Sequence, residues 1–110
     1  MDEVKKMENY KVDFDSLSWR SQVQGFRYKM LQQRNRKLRL VEFTREFIEP
    51  DWCTKGHIGY VLEGEGKVYF TNCSIELMPG NGIFISAGVE NKHKLQVTSN
   101  TIRLILVEEG

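Results

Sequence analysis

Turn-forming residues break this chain at short, regular intervals, and that rhythm constrains its fold more than any other feature. Gly25, the Asn35 region, Pro50, the Gly64 to Gly66 pair, Asn72, the stretch from Pro79 to Gly82, Gly88, and Ser99 with Asn100 mark the breaks. Turn signals roughly 8 to 12 residues apart point to an all-β sandwich or barrel. Between them, segments 26–32, 38–44, 57–62, 67–71, 74–78, 82–86, 93–98 and 101–107 are rich in β-branched, aromatic and leucine side chains, which suit a pleated, half-buried surface. About eight strands follow from that rule. Only the region before Gly25 carries a helical signal, at Asp15-Ser-Leu-Ser-Trp, with capping residues but too little periodicity to extend far. Residues 1–24 are therefore expected to form an N-terminal tail and helical turn, frayed over 1–9, and residues 25–110 the barrel. With no internal repeat, linker or low-complexity tract, the chain should share one core.

Composition narrows the function classes. The chain has 110 residues, the size of one domain, and leaves no room for a second catalytic domain. Sixteen Lys and Arg against fifteen Asp and Glu give a net charge of +1, with 28% charged and 40% hydrophobic residues. That is the balance of an ordinary globular protein, without the basic footprint that nucleic acid or an anionic membrane would require. No run approaches the roughly 18 apolar residues of a membrane span, and the charged N-terminus is followed by no apolar region, so a cytoplasmic protein is expected. Cys53 and Cys73 are then expected as free thiols.

The segment Gly56-His-Ile-Gly-Tyr-Val-Leu-Glu-Gly-Glu-Gly, continuing into Lys-Val-Tyr-Phe, and the later Pro79-Gly-Asn-Gly-Ile-Phe-Ile-Ser-Ala-Gly resemble the two motifs of the small single-domain cupins (cupin type-2, conserved barrel). The resemblance covers residues from about 38 to 107, a span the turn spacing also delimits. It implies a double-stranded β-helix, or jelly-roll, barrel, often a dimer, with one divalent metal held in the mouth by three histidines and a glutamate. Aligned on Gly64, the first motif places His57 at the family's glutamate and Cys53 and Asp51 at its two histidines. Aligned on Gly80 and Gly88, the second places Ser86 at a proline and Asn91 at the remaining histidine. All four ligand positions have changed.

Strand alternation asks whether the replacements can still converge. Positions 53, 55 and 57 share one face, as do 91 and 93, so His57 and His93, the two histidines of the chain, would both point into the barrel near Cys53. A Cys, His, His set with a fourth position left to water suits zinc, iron, nickel or cobalt. Asp51 and Asn91 are secondary candidates, as oxygen ligands or as supports, and His93 would take the task that Asn91 leaves vacant. Against this, a cysteine on an apolar strand is commonly just buried, and His93 in Asn-Lys-His-Lys sits between two lysines, so a metal-free pocket is the competing expectation.

Other residues are read more simply. Arg27, Lys29, Arg39 and Arg103 are expected to face outward, because charged side chains are seldom buried unpaired. Arg34-Asn-Arg-Lys reads as a solvated hairpin turn rather than a nucleic-acid site. Tyr28, Phe43, Tyr60, Tyr69, Phe70 and Phe84 are expected to fill the core or a dimer face. Glu63-Gly-Glu-Gly reads as a hairpin turn, since a strand and no helix follows it to hold a phosphate. Cys53 and His57 could pair as nucleophile and base, but the sequence offers no third orienting group and no oxyanion hole. Two function classes remain: a small-molecule-binding cupin barrel with a degraded or rearranged metal site, which the altered ligand positions favour, and a metal-dependent enzyme of dioxygenase or isomerase type using Cys53, His57 and His93. A homodimer through a strand or sheet face is expected in either case.

Overall fold

In a computed structural model of the chain, residues 10–109 are described. Seven strands form one antiparallel sheet: β1 (Arg20–Val23), β2 (Phe26–Gln33), β3 (Arg36–Thr44), β4 (His57–Tyr69), β5 (Ser74–Leu77), β6 (Gly82–Ile85) and β7 (Lys94–Glu109). Their order is β1-β2-β3-β7-β4-β5, with β6 paired to β4. The helical signal before Gly25 becomes a single 3-10 turn at Phe14–Ser16, with the Asp13 carboxylate accepting from the Asp15 N–H. The fraying expected over residues 1–9 lies outside the described residues. Among the described residues, no helix is long and apolar enough to cross a membrane.

Two expected turns are bends inside continuous strands. β4 runs straight through the Gly64 to Gly66 pair and β7 through Ser99 and Asn100, which corrects the hairpin reading of Glu63-Gly-Glu-Gly and merges four expected strands into two. The β4–β7 register shifts twice, between Val61 and Glu63 and between Gly64 and Gly66, as β-bulges require. Gly64 takes a φ of 80° there, and a Cβ on it would fall onto the Thr101 carbonyl oxygen. Ser99 Oγ accepts the Glu65 N–H at 2.8 Å, replacing a ladder bond lost to the bulge. The bend lets one strand pair serve two walls: residues before it pair with β6, residues after it with β5.

Alternation then sorts the faces. Val41, Val61, Leu77, Ile102, Leu104 and Leu106 are among the buried residues that point inward, with Phe26, Tyr28, Phe43 and Phe70 packed against them. Tyr60, Tyr69 and Phe84 are exposed and so take no part in the core, one of their two expected places, and Phe84, Ile58, Val107, Leu38 and Leu31 align as one outward row across five strands.

The strand cations depart from expectation in different ways. Arg27 and Arg103 do lie on the outer face, where they clamp the two oxygens of Glu42 at 2.6 and 2.7 Å, and Trp19 lies over the Arg27 guanidinium at 4.1 Å. Lys29 shares that outer face, but the segment carrying Phe14 and Trp19 covers it: it is buried and donates to the Phe14 carbonyl at 2.8 Å, so its outward direction holds and its expected exposure is corrected. The Arg27 hydrogen bond, opposed by burial and assisted by Arg103, lowers the Glu42 carboxyl below its ordinary 4.5. A carboxyl lowered on folding stabilises the fold above its unfolded value and loses that contribution as pH falls below it. Glu42→Gln is therefore expected to lose roughly 1–3 kcal/mol at neutral pH, with the gap from the parent protein narrowing in urea melts as the pH falls below the ordinary carboxyl range. A gap that stays constant across that range would contradict the assignment.

Candidate metal centre

Three elements bring the expected donors together. Cys53 lies in the connection between β3 and β4, pinned opposite His93 by two backbone hydrogen bonds, Cys53 N–H to His93 O at 2.9 Å and His93 N–H to Cys53 O at 3.0 Å. His57 opens β4 and His93 immediately precedes β7. The Cys53 Sγ stands 3.6 Å from His57 Nε2, the two imidazoles meet edge to face with centroids 5.2 Å apart, and one donor atom from each of the three residues lies within 4.8 Å of the others.

Partners behind the rings fix which nitrogen is free. His57 Nδ1 sits 2.8 Å from Glu108 Oε2, and Arg39 holds the other oxygen of that carboxylate at 2.8 Å. Burial presses the Glu108 carboxyl upward, but hydrogen bonds from His57 and Arg39 outweigh it and bring it down to about 2. An ionised carboxylate only accepts, so His57 donates from Nδ1 and leaves the Nε2 lone pair facing the cluster. His93 repeats the arrangement with a backbone carbonyl: Nδ1 donates to Asn91 O at 2.9 Å. Its Nε2 is buried without a hydrogen-bond partner among the described residues. An unsatisfied buried nitrogen costs about 1–3 kcal/mol. Two imidazole lone pairs and a sulfur therefore face one another, each ring backed by the kind of oxygen acceptor that orients metal-ligating histidines. The donor set fits a divalent metal.

The cluster opens on a cavity of about 490 Å³. Val41, Ile85 and Leu106 form part of its wall, Phe26, Phe43 and Phe47 another part, and Asp51 and Lys55 are exposed at its rim. The 45–52 segment that closes one side is seated on Gly25, where φ is +79° and a Cβ would strike the Phe47 backbone. Glu49 ties the same segment to β7 by accepting the Leu95 N–H at 2.9 Å. That tie sets both the cavity wall and the position of Cys53, which follows four residues later.

Cys53, His57 and His93 are thus brought together as expected, although not along one strand face: residues 54–56 leave the strand conformation, and the bridge to His93 is what places Cys53. Asp51 lines the cavity but is not part of the three-donor group, and Asn91 contributes its backbone carbonyl rather than its side chain. Glu108 and the inward Arg39 escaped the sequence reading, and for Arg39 the outward expectation is corrected. Arg39 faces inward because Glu108, diagonal to it on the neighbouring strand, supplies the countercharge that makes burial tolerable. In the structure Glu108 extends the inward series Ile102, Leu104 and Leu106, and continuing the β4–β7 register past Ile58 and Val107 brings it opposite His57.

No profile of a known family and no curated protein sequence matches the chain. Solved structures do. The polyketide cyclase RemF from Streptomyces resistomycificus superposes with a TM-score of 0.76 at 19% identity, covering 93% of this chain and 80% of that one. KdgF from Halomonas sp. gives 0.71 at 19% identity, with 86% and 89% covered, and an RmlC-like cupin from Shewanella frigidimarina gives 0.70 at 15% identity, with 93% and 91% covered. At these identities the likeness speaks for the fold alone: the chain has the barrel fold of the cupins, as its glycine and strand pattern implied.

Proposed function

We propose that this cupin barrel binds a small molecule beside one divalent metal ion held by Cys53, His57 and His93. The buried, unpartnered His93 Nε2 carries the reading, because an ion shared with His57 Nε2 and Cys53 Sγ would give that nitrogen the partner it lacks. Three protein donors leave a coordination position free, and an ion there would act as a Lewis acid on an oxygen of the bound molecule. Zinc, iron, nickel and cobalt all suit the set. The chain's own residues do the rest. Arg39 fixes Glu108, Glu108 holds the His57 proton on Nδ1, the aliphatic wall excludes water, and Cys53 gives up its proton on loading. A ligand role for Cys53 needs a reduced thiol, and we place the protein in the cytoplasm on that ground. A polyketide cyclase and a sugar phosphate isomerase among the structural neighbours support a catalytic use of the site.

A second reading uses the same atoms without metal. Glu108 is the third orienting group that the sequence did not reveal, and Cys53, His57 and Glu108 line up as nucleophile, base and carboxylate. It leaves His93 Nε2 without a task, which is why the metal reading ranks first. Elemental analysis of tag-free protein is expected to show close to one metal per chain, with Glu108→Gln weakening retention roughly 10–100-fold. Loaded protein should resist iodoacetamide at Cys53 and stripped protein should not. Metal-free protein that stays empty on titration, with Cys53 alkylating rapidly, would instead support the nucleophile.

A further inference from the structure

We infer that the cavity is built for a flat aromatic or conjugated ring bearing an oxygen donor, its ring seated on the Phe26, Phe43 and Phe47 wall and its oxygen turned toward Cys53, His57 and His93. The inference deepens the metal reading and rests on it for the oxygen end alone.

The lining argues first by what it lacks. Among the described residues that line the cavity there is no serine, threonine, asparagine, glutamine or tyrosine. Its polar side chains other than the donors are few: Arg39 is held by Glu108, Glu49 accepts the Leu95 N–H, and Asp51 and Lys55 stand exposed at the rim, away from the apolar interior. A sugar placed here would bury several hydroxyls without partners, at roughly 1–3 kcal/mol each. A polyhydroxylated ligand is therefore disfavoured, and a mostly apolar one with a single polar end fits. The volume, about 490 Å³, lies in the range of small-molecule sites.

The shape of the wall argues for a ring. Phe26 and Phe43 are a cross-strand pair whose rings stack at 4.7 Å and 25°, and Phe47 adds a third ring 4.7 Å from Phe43, tilted by 60°. Stacked and tilted phenyls present both a face and an edge to a guest ring, which aliphatic side chains cannot do. The wall is also coupled to the donor cluster. The Arg39 guanidinium that holds Glu108 lies 5.7 Å over the Phe26 ring and 4.9 Å over Tyr28, so one side chain spans from the aromatic wall to the carboxylate behind His57.

Two probes with one chelating head test it: benzohydroxamate, which carries a ring, and acetohydroxamate, which does not. On cobalt-loaded protein, benzohydroxamate is expected to bind at least about tenfold tighter, read from the cobalt bands and by calorimetry. Phe43→Leu, which keeps the wall apolar and touches no donor, should shrink the advantage to about twofold or less, leaving cobalt content unchanged. Equal affinities in the parent protein, or an advantage untouched by Phe43→Leu, would overturn the ring assignment while the metal reading stands. Should cobalt not bind, the metal reading fails by itself. The ring assignment is then judged on the metal-free chain, where benzohydroxamate must still outbind acetohydroxamate and lose its lead in Phe43→Leu.

Discussion

His93→Leu is expected to abolish useful metal binding while leaving the metal-free protein close to its original stability. The two effects diverge because His93 Nε2 has no hydrogen-bond partner among the described residues. Leucine has a similar size and no buried nitrogen to desolvate. Removing the unsatisfied nitrogen gains about 1–3 kcal/mol, against about 1 kcal/mol for the lost hydrogen bond to the Asn91 carbonyl. Urea melts of the two metal-free proteins should therefore agree to within about 1–2 kcal/mol, or favour the variant. Binding is another matter. Zinc held by four protein donors is worth roughly 10–16 kcal/mol, or about 2.5–4 kcal/mol per donor, so one lost donor should weaken affinity roughly 60–700-fold in a chelator-competition titration. If His93→Leu unfolds the protein, the histidine is a packing residue and its role as a donor fails.

Gly64→Ala carries the largest expected cost to the fold itself. At a φ of 80° an alanine pays about 1–2 kcal/mol in backbone strain, and its Cβ would also collide with the Thr101 carbonyl, which belongs to the adjacent strand and has no side-chain freedom with which to yield. Relieving the contact means opening β4 from β7 at the bend, beside the fully buried Val61 and Ile102. A loss of roughly 3–5 kcal/mol is expected, much of the 5–15 kcal/mol that holds a domain together. Thermal melts would read it directly. A loss under about 1 kcal/mol would mean that the bend does not need glycine.

That bend also shows where the sequence was legible and where it was not. Glycine, serine and asparagine announce that the backbone leaves the regular ladder, but a bulge inside a long strand does this as well as a hairpin does. Gly64 and Ser99 therefore marked the right places and the wrong event. The barrel survived the error because both readings turn the chain through a corner. At the site the three donors do meet, but alternation along one strand is not what joins them: residues 53–57 are not a continuous strand, and Cys53 is set by an isolated bridge to His93, a pairing that one-dimensional periodicity does not reveal. Glu108 was hidden because β7 is apolar on both parities, with Ile102, Leu104 and Leu106 inward and Ile105 and Val107 outward, so its sequence does not say which glutamate of the final pair turns in. Arg39 was misread for a related reason: the rule that charges face water holds until a countercharge waits across the strand, and Glu108 was that countercharge. Asn91 was expected through its side chain and serves through its carbonyl, which every residue possesses and no composition argument can single out.

Titration of the metal-free protein with cobalt tests the central claim most directly, because the ion reports its own ligands. The account predicts saturation at one equivalent, with intense low-symmetry d–d bands and a sulfur-to-cobalt charge-transfer band that disappears in Cys53→Ser. Weak, octahedral-type bands without sulfur charge transfer, or a spectrum that Cys53→Ser leaves unchanged, would contradict it.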